Sequence, residues 1–125
     1  MDEITLALPA IPDSIPVARH VLDRLEGSIE QQLLEDLRLL ISEVVTNSIR
    51  HGPGDQIVEL RVMLNGRVVR VEVEDGGPGF EPPVQQDAAD RSAGWGLMLV
   101  DHLADRWGVS SARTTTVWFE IDRGT

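Results

Sequence analysis

The chain has 125 residues, 42% of them hydrophobic, and a formal net charge of −10 at pH 7. This length and composition predict one packed domain over residues 1–125. All eleven basic residues are arginine. The absence of lysine excludes a Walker A loop and a eukaryotic-type protein kinase, which both depend on a lysine. Because the arginines are spread singly rather than clustered, we expect no direct binding of nucleic acid.

The sequence also argues against export and membrane insertion. No apolar run approaches the roughly 18 residues that a membrane-spanning helix needs, and the acidic N-terminus does not have the pattern of a secretory signal. Cysteine is absent, which excludes disulfides and thiolate metal sites. We therefore expect a cytoplasmic protein that does not associate with membranes.

The first part of the chain is predicted to contain one strand and two helices. The sequence at 4–8 (ITLAL) predicts a short edge strand ended by Pro9. Apolar residues at helical spacing predict a first helix that begins near Ser14 and ends at about residue 29, and a second over about 34–50. The glycines and the proline of residues 51–54 are expected to end the second helix.

The middle of the chain changes to a period of two. Apolar residues alternate with polar ones over 58–64 and again over 69–74, and Asn65-Gly66 between them is a tight-turn signal. This pattern predicts a hairpin with one buried and one solvent-facing side, as in an antiparallel sheet covered on one face.

A stretch rich in glycine, proline, glutamine and aspartate follows Asp75 and predicts a mobile loop to about residue 93. A third helix over 97–104 and a strand pair at 107–111 and 115–121 complete the prediction. The order strand, two helices, two strands, helix, two strands indicates an α+β fold. We expect a two-layer α/β sandwich with the helices on one face of a mixed, mostly antiparallel sheet.

Three positions carry side chains or glycines suited to chemistry, and the first is Glu43 with Asn47. The two residues are four apart on the second predicted helix and therefore one turn apart on one face. A carboxylate and a carboxamide oxygen there can act as a general base and as a ligand for Mg²⁺, which prefers oxygen. The structural alternative is the solvated polar edge of an ordinary amphipathic helix.

The second is Asp75-Gly-Gly-Pro-Gly-Phe80, which directly follows the hairpin. Gly77 and Gly79 permit a close approach to the backbone. A carboxylate at a strand end can accept a hydrogen bond from an amino group such as N6 of adenine, and a charge-assisted bond contributes roughly 1.5–3 kcal/mol. The alternative is a simple turn.

The third is Gly94-Trp-Gly-Leu97, which is predicted to open the third helix. Helix N-termini present free N–H groups and a positive dipole end to phosphate. The alternative is a helix start with two convenient glycines. Each motif alone is compatible with a purely structural role, but their order along the chain favours a nucleotide site.

In combination the motifs resemble those of the Bergerat-fold ATPases, the superfamily of DNA gyrase, bacterial histidine kinases and a heat-shock chaperone. Glu43-xxx-Asn47 is similar to the N box of that superfamily, Asp75-x-Gly77-x-Gly79 to its first glycine box, and Gly94-x-Gly96-Leu97 to its second. Thr115 matches a threonine near the adenine pocket. The resemblance implies the histidine-kinase-like ATPase fold and binding of ATP with Mg²⁺.

Within the superfamily, the compact size and the sequences at 40–47, 51–52 and 116–120 look most like the anti-sigma-factor serine kinases. That resemblance implies a serine/threonine protein kinase that binds a sigma factor and phosphorylates an anti-anti-sigma (antagonist) protein. It also suggests a homodimer. The alternative is a nucleotide-gated module that sequesters a partner without kinase turnover.

The resemblance also implies roles for individual residues. Glu43 would be the catalytic base toward the incoming hydroxyl, and Asn47 would hold Mg²⁺ on the phosphates. Asp75 would bind adenine with the help of Thr115. Gly77 and Gly79 would hinge the loop, and Gly94, Gly96 and Leu97 form the box that would contact phosphate.

Two arginines complete the predicted functional residues. We add Arg91 as a candidate charge contact to the phosphates, and Arg19 resembles a partner-contacting position of the family. One departure from the family pattern is Arg113-Thr114, where a glycine often precedes the final Thr-Thr-Val.

Overall fold

The computed structural model describes residues 2–51, 56–75, 91–111 and 114–123, and the side chains of 3–50, 56–75, 97–110 and 114–123. Gly77 and Gly79, which are predicted to hinge the loop, lie outside the described residues.

Five strands form one sheet in the order β1-β2-β3-β5-β4. They are β1 (Asp2–Pro9), β2 (Ile57–Leu64), β3 (Val68–Asp75), β4 (Arg106–Ser111) and β5 (Thr115–Asp122). All four pairings are antiparallel, so the expectation of a mixed sheet is corrected on this point. The strands β3 and β4 run in the same direction, but β5 lies between them and pairs antiparallel with both.

In the described part of the chain three α-helices accompany the sheet: α1 (Ser14–His20), α2 (Gln31–His51) and α3 (Arg91–Leu103). The first predicted helix is shorter than expected, because α1 passes into a 3-10 helix at Val21–Leu25. Gly27 then adopts a φ of 84°, a left-handed conformation that glycine accommodates and that ends helical structure. The strand and hairpin predictions agree with β1, β2 and β3 to within two residues at each end.

The core lies between the helices and one face of the sheet, which confirms the two-layer α+β fold. Alternation along β2 and β3 places every second side chain in this core. From the helix side, α2 presents a stripe of buried residues against the sheet. The buried side chains with the largest volumes are Phe119, Leu22, Leu34, Leu37, Leu40, Ile41 and Leu60.

The third helix begins earlier than predicted. It starts at Arg91 rather than Leu97 and therefore includes Gly94 and Gly96. Glycine within a helix costs about 1 kcal/mol relative to alanine. The other residues of the helix can outweigh that cost. The predicted start at the two glycines is therefore too late in the sequence.

The other face of the sheet carries a network of arginines and carboxylates. Arg61 on β2 contacts Glu72 at 2.8 Å and also reaches Glu59 and Glu74. Arg70 on β3 contacts Glu72 at 2.8 Å and Glu120 at 2.9 Å. Burial of the Glu72 carboxylate opposes its ionisation, but the hydrogen bonds from Arg70 and Arg61 outweigh this, and the pKa of Glu72 lies below its ordinary value.

This network predicts a stability that depends on pH. Because Glu72 ionises at lower pH in the folded protein than in the unfolded chain, its stabilisation is complete above the ordinary glutamate pKa of about 4.3 and is lost as the pH falls through the folded value. We expect Glu72→Gln to lower the free energy of unfolding at pH 7 by about 1 kcal/mol and to flatten its pH dependence below about pH 5. Urea denaturation between pH 3 and 7 measures the free energy of unfolding, with Glu35→Gln at an exposed position as the control. The same pH dependence of this free energy in wild type and in Glu72→Gln would contradict the prediction.

The same face holds a tightly packed tryptophan. Arg70 stacks over Trp118, with Cζ 4.4 Å from the ring centroid, and Gly108 pairs with Trp118 on the neighbouring strand. A methyl group added at Gly108 would lie 2.8 Å from Nε1 of Trp118. The indole is rigid, so it would have to move and weaken its stacking with the guanidinium.

We therefore expect Gly108→Ala to destabilise the protein by about 1–3 kcal/mol. Gly66→Ala is the matched control, because a methyl group there meets no atom within 4 Å. Urea denaturation measures both variants, and equal stability of the two would show that the packing against Trp118 is looser than described.

Candidate functional site

The ends of three strands meet at one edge of the helix-covered face. Near the start of β2, Val58 pairs with Asp75 at the end of β3, and Asp75 pairs with Thr115 at the start of β5. Asp75 is 3% exposed and Thr115 is 1% exposed. The structure therefore brings together the two residues predicted to bind adenine, side by side on neighbouring strands.

Polar atoms at this place are buried without a partner. Among the described side chains, two buried oxygen atoms lack a hydrogen bond: Oγ1 of Thr115 and Oε1 of Gln56. Such atoms are uncommon in folded proteins and point to a functional role or to a bound group. Asp75 already interacts with another part of the chain, but an ionised carboxylate has about four acceptor positions, which leaves capacity for a ligand.

Glu43 and Asn47 lie in the C-terminal half of α2. Both side chains are half-buried, and the neighbouring Val44 and Val45 are in the core. The helix ends at His51, and β2 begins at Ile57 only a few residues later. Because β2 begins where β3 ends, the C-terminal turns of α2 lie near the end of the sheet that holds Asp75.

The start of α3 faces this end as well. The helix ends at Leu103 and connects through two residues to the start of β4, which pairs with the far end of β5 at Glu120. Because two residues connect α3 to β4 and the two elements are in contact, we infer that the helix, whose 13 residues span about 20 Å, runs back along β4. The N-terminus of α3 is therefore at the end of the sheet where β3 stops and β5 starts.

The structure describes the backbone of the second glycine box and of Arg91, but only some of the side chains. Arg91, Gly94 and Gly96 lie in α3, but the side chain of Arg91 is outside the described ones, and a contact of any of the three with phosphate stays a prediction. Leu97 is 6% exposed and packs in the core. Leu97 therefore anchors α3 in the core, and α3 also packs against α2.

Comparison with known proteins matches this arrangement. Residues 8–121 match the histidine kinase-like ATPase domain family. The chain belongs to this family. It is also 30% identical over 120 residues to the serine-protein kinase RsbW of Listeria monocytogenes, an alignment that covers 83% of this chain and 76% of the relative.

Two further proteins are similar to this ATPase domain. It is 29% identical over 100 residues to the anti-sigma F factor of Clostridium novyi, covering 72% of this chain and 68% of that protein. Its fold matches a crystal structure of RsbU and RsbW domains from Mycobacterium tuberculosis with a TM-score of 0.75 at 21% identity. That match covers 100% of this chain and 33% of the other, so the domain spans about a third of that longer protein.

The remaining histidines and tryptophans of the ATPase domain have ordinary environments where they are described. His20 is exposed and lies 3.4 Å from Asp23, and His102 is exposed on α3. Trp107 donates a hydrogen bond to Asp101 at 2.9 Å. These contacts agree with structural rather than ligand-binding roles; the side chains of His51 and Trp95 lie outside the described ones. Arg19 is exposed on α1, which leaves its partner contact a prediction.

Gln56 is the site residue that sequence motifs do not identify. It belongs to none of the three boxes, and its neighbours in sequence give no apolar pattern on which to place it. The signal that could have found it is the period of two, because Gln56 is two residues before Val58 and therefore on the same side of the extended chain.

Proposed function

We propose that this domain is an ATP-dependent serine/threonine protein kinase that acts as an anti-sigma factor. The observation that carries the proposal is the buried pair of Asp75 and Thr115, at the end of the sheet that the C-terminal turns of α2 and the N-terminus of α3 also approach. The names of the relatives support the protein substrate class, since they include a serine-protein kinase and an anti-sigma F factor.

In this proposal the adenine is held at the sheet. The carboxylate of Asp75 accepts a hydrogen bond from the N6 amino group. The hydroxyl of Thr115, buried and unpartnered, bonds to the same edge of the base. A buried hydroxyl without a partner costs free energy, so a base that satisfies it gains affinity. The helix α3, which begins at Arg91, would present the free N–H groups of its first turn to the phosphates.

The residues Glu43 and Asn47 perform the chemistry. Within the described side chains no group of three or more histidines or carboxylates could hold a metal ion. A site with Asn47 as its protein ligand, completed by phosphate oxygens and water, fits Mg²⁺. When bound, Mg²⁺ neutralises charge on the phosphates. Glu43 accepts the proton of a serine or threonine hydroxyl while the hydroxyl oxygen bonds to the γ-phosphorus of ATP. The bond between the γ-phosphorus and the β,γ-bridging oxygen breaks, and ADP leaves.

The name of one relative, an anti-sigma F factor, supports a sigma factor as a partner, and the family resemblance of the sequence suggests the other partners. We infer a sigma factor as the sequestered partner, a small anti-anti-sigma protein as the phosphorylation substrate, and a homodimer as the active form. None of the described helices is long and apolar enough to cross a membrane. We propose that the protein works in the cytoplasm.

Incubation with γ-labelled ATP and Mg²⁺ tests the proposal. The substrates offered are anti-anti-sigma (antagonist) proteins from the same organism. Transfer of label to a serine or threonine of one of them is the expected result. Binding of ATP without label on any of these proteins would overturn the kinase and favour a nucleotide-gated sequestering module.

A further inference from the structure

The buried oxygen of Gln56 has no role in the site as described so far. It is one of only two unpartnered buried oxygens among the described side chains, and the other belongs to Thr115. Thr115 pairs with Asp75 from β5, and Gln56 lies one residue before β2, two positions from Val58, which pairs with Asp75 from the other side. An orphaned acceptor at this position costs stability, which an apolar residue of similar size would not. Its presence therefore calls for a partner that the described residues do not supply.

The backbone of Gln56 is fixed by the sheet. Its carbonyl accepts a hydrogen bond from the N–H of Ala10 at 3.0 Å. This bond continues the β1–β2 register by one residue beyond Pro9 and Ile57. Ala10 is itself buried. Gln56 is thus held as an extension of β2 rather than as part of a loose connection.

The alternation of side chains along an extended chain fixes the side of the sheet that Gln56 faces. Val58 is 1% exposed and points to the helix-covered side, and a residue two positions earlier points to the same side. Val58 pairs directly with Asp75, so Gln56 is the diagonal neighbour of Asp75. Diagonal neighbours have Cα atoms about 7–8 Å apart, which is within reach of long side chains.

We propose that Gln56 is a base-specificity residue of this nucleotide site, an inference that rests on the proposed function. The N6 amino group of adenine has two N–H donors. Asp75 accepts one of them, and Oε1 of Gln56 accepts the other. Two acceptors from adjacent strands then bind both donors of one amino group, and Thr115 binds the ring edge beside it.

This arrangement selects adenine against guanine. Guanine carries a carbonyl oxygen where adenine carries the amino group. That oxygen would face the carboxylate of Asp75, which has no hydrogen to donate when ionised, and Gln56 would have to turn its amide and place Nε2 where Oε1 lies before it donated a bond. A second acceptor strengthens the rejection that Asp75 alone provides, because a site built to bond a donor rejects an analogue that lacks it.

Calorimetric titration of Gln56→Met with two ligands tests the inference. One ligand is Mg·ADP, and the other is the Mg²⁺ complex of purine riboside diphosphate, which lacks the N6 amino group. We expect Gln56→Met to bind ADP about 5- to 10-fold more weakly and to leave the affinity for the purine riboside compound nearly unchanged. Gln32→Met, an exposed position near the start of α2, should change neither affinity.

Equal losses for both ligands would assign Gln56 a merely structural role and overturn the inference, as would an unchanged affinity for ADP. A wild-type protein that binds neither ligand would instead contradict the proposed nucleotide site itself. The wild-type protein gives an independent readout that needs no folded variant. The side-chain amide resonance of Gln56 should shift further with Mg·ADP than with the purine riboside compound; equal shifts, or no shift with ADP, would also overturn the inference.

Discussion

Glu43→Ala is expected to reduce phosphoryl transfer to the antagonist protein by about 10²–10⁴-fold, the range for loss of a general base. Affinity for Mg·ADP should stay close to that of the wild type, because the base contacts the incoming hydroxyl rather than the nucleotide. Single-turnover transfer from γ-labelled ATP measures the rate, and calorimetry measures the affinity.

Glu35→Ala is the matched control for this substitution. Glu35 lies on the same helix, is exposed, and contacts Gln31. Both variants lose a glutamate from α2. A slower transfer in Glu43→Ala alone therefore reflects the loss of the base and not a general effect on the helix. Transfer by Glu43→Ala at the wild-type rate would remove Glu43 from the mechanism, and a loss of nucleotide affinity in the same variant would assign it to binding instead.

Asp75→Asn should weaken binding of Mg·ADP by about 10- to 150-fold, which corresponds to a charge-assisted hydrogen bond of roughly 1.5–3 kcal/mol. The substitution keeps the shape of the side chain but replaces an acceptor oxygen with an NH₂ donor, which would face the amino group of adenine. Because Asp75 is buried and interacts with another part of the chain, thermal unfolding without nucleotide must accompany the titration.

The adjacent Glu74→Gln variant is the control. Glu74 is on the same strand but points to the opposite face, where it contacts Arg61 and accepts a hydrogen bond from Thr114 at 2.7 Å. We expect Glu74→Gln to cost some stability and to leave the affinity for ADP unchanged. Equal affinities of Asp75→Asn and wild type, in a folded variant, would exclude Asp75 as the adenine contact.

Local patterns in the sequence predict the strands better than the helix boundaries. Alternating burial along β2 and β3 needs only the period of two and the Asn65-Gly66 turn, both of which are local. The end of α1 depends on Gly27 and on a change to 3-10 geometry, which the apolar spacing does not reveal. The start of α3 was placed too late because glycine disfavours a helix without forbidding it.

The order of the strands is a different kind of information. Pairing of β3 with β5 joins residues about 50 positions apart in sequence, and no spacing rule specifies it. The family resemblance supplied that topology for Asp75 and Thr115. Gln56 belongs to no motif; the period of two could place it on the core side of β2, but only the folded chain shows that its Oε1 is buried without a partner among the described residues.

The most direct test of the nucleotide site is a titration of the ¹⁵N-labelled protein with Mg·ADP, followed by amide chemical shifts. The structure offers a competing location, since a cavity of about 330 Å³ lies at the opposite end of the sheet, lined in part by Gly27, Gly66 and Arg123. We predict that the shifted amides cluster around Asp75, Thr115 and Asn47, while those of Gly27 and Gly66 remain unchanged. Shifts centred on the cavity beside Gly66, or no shifts at saturating nucleotide, would contradict the proposed site.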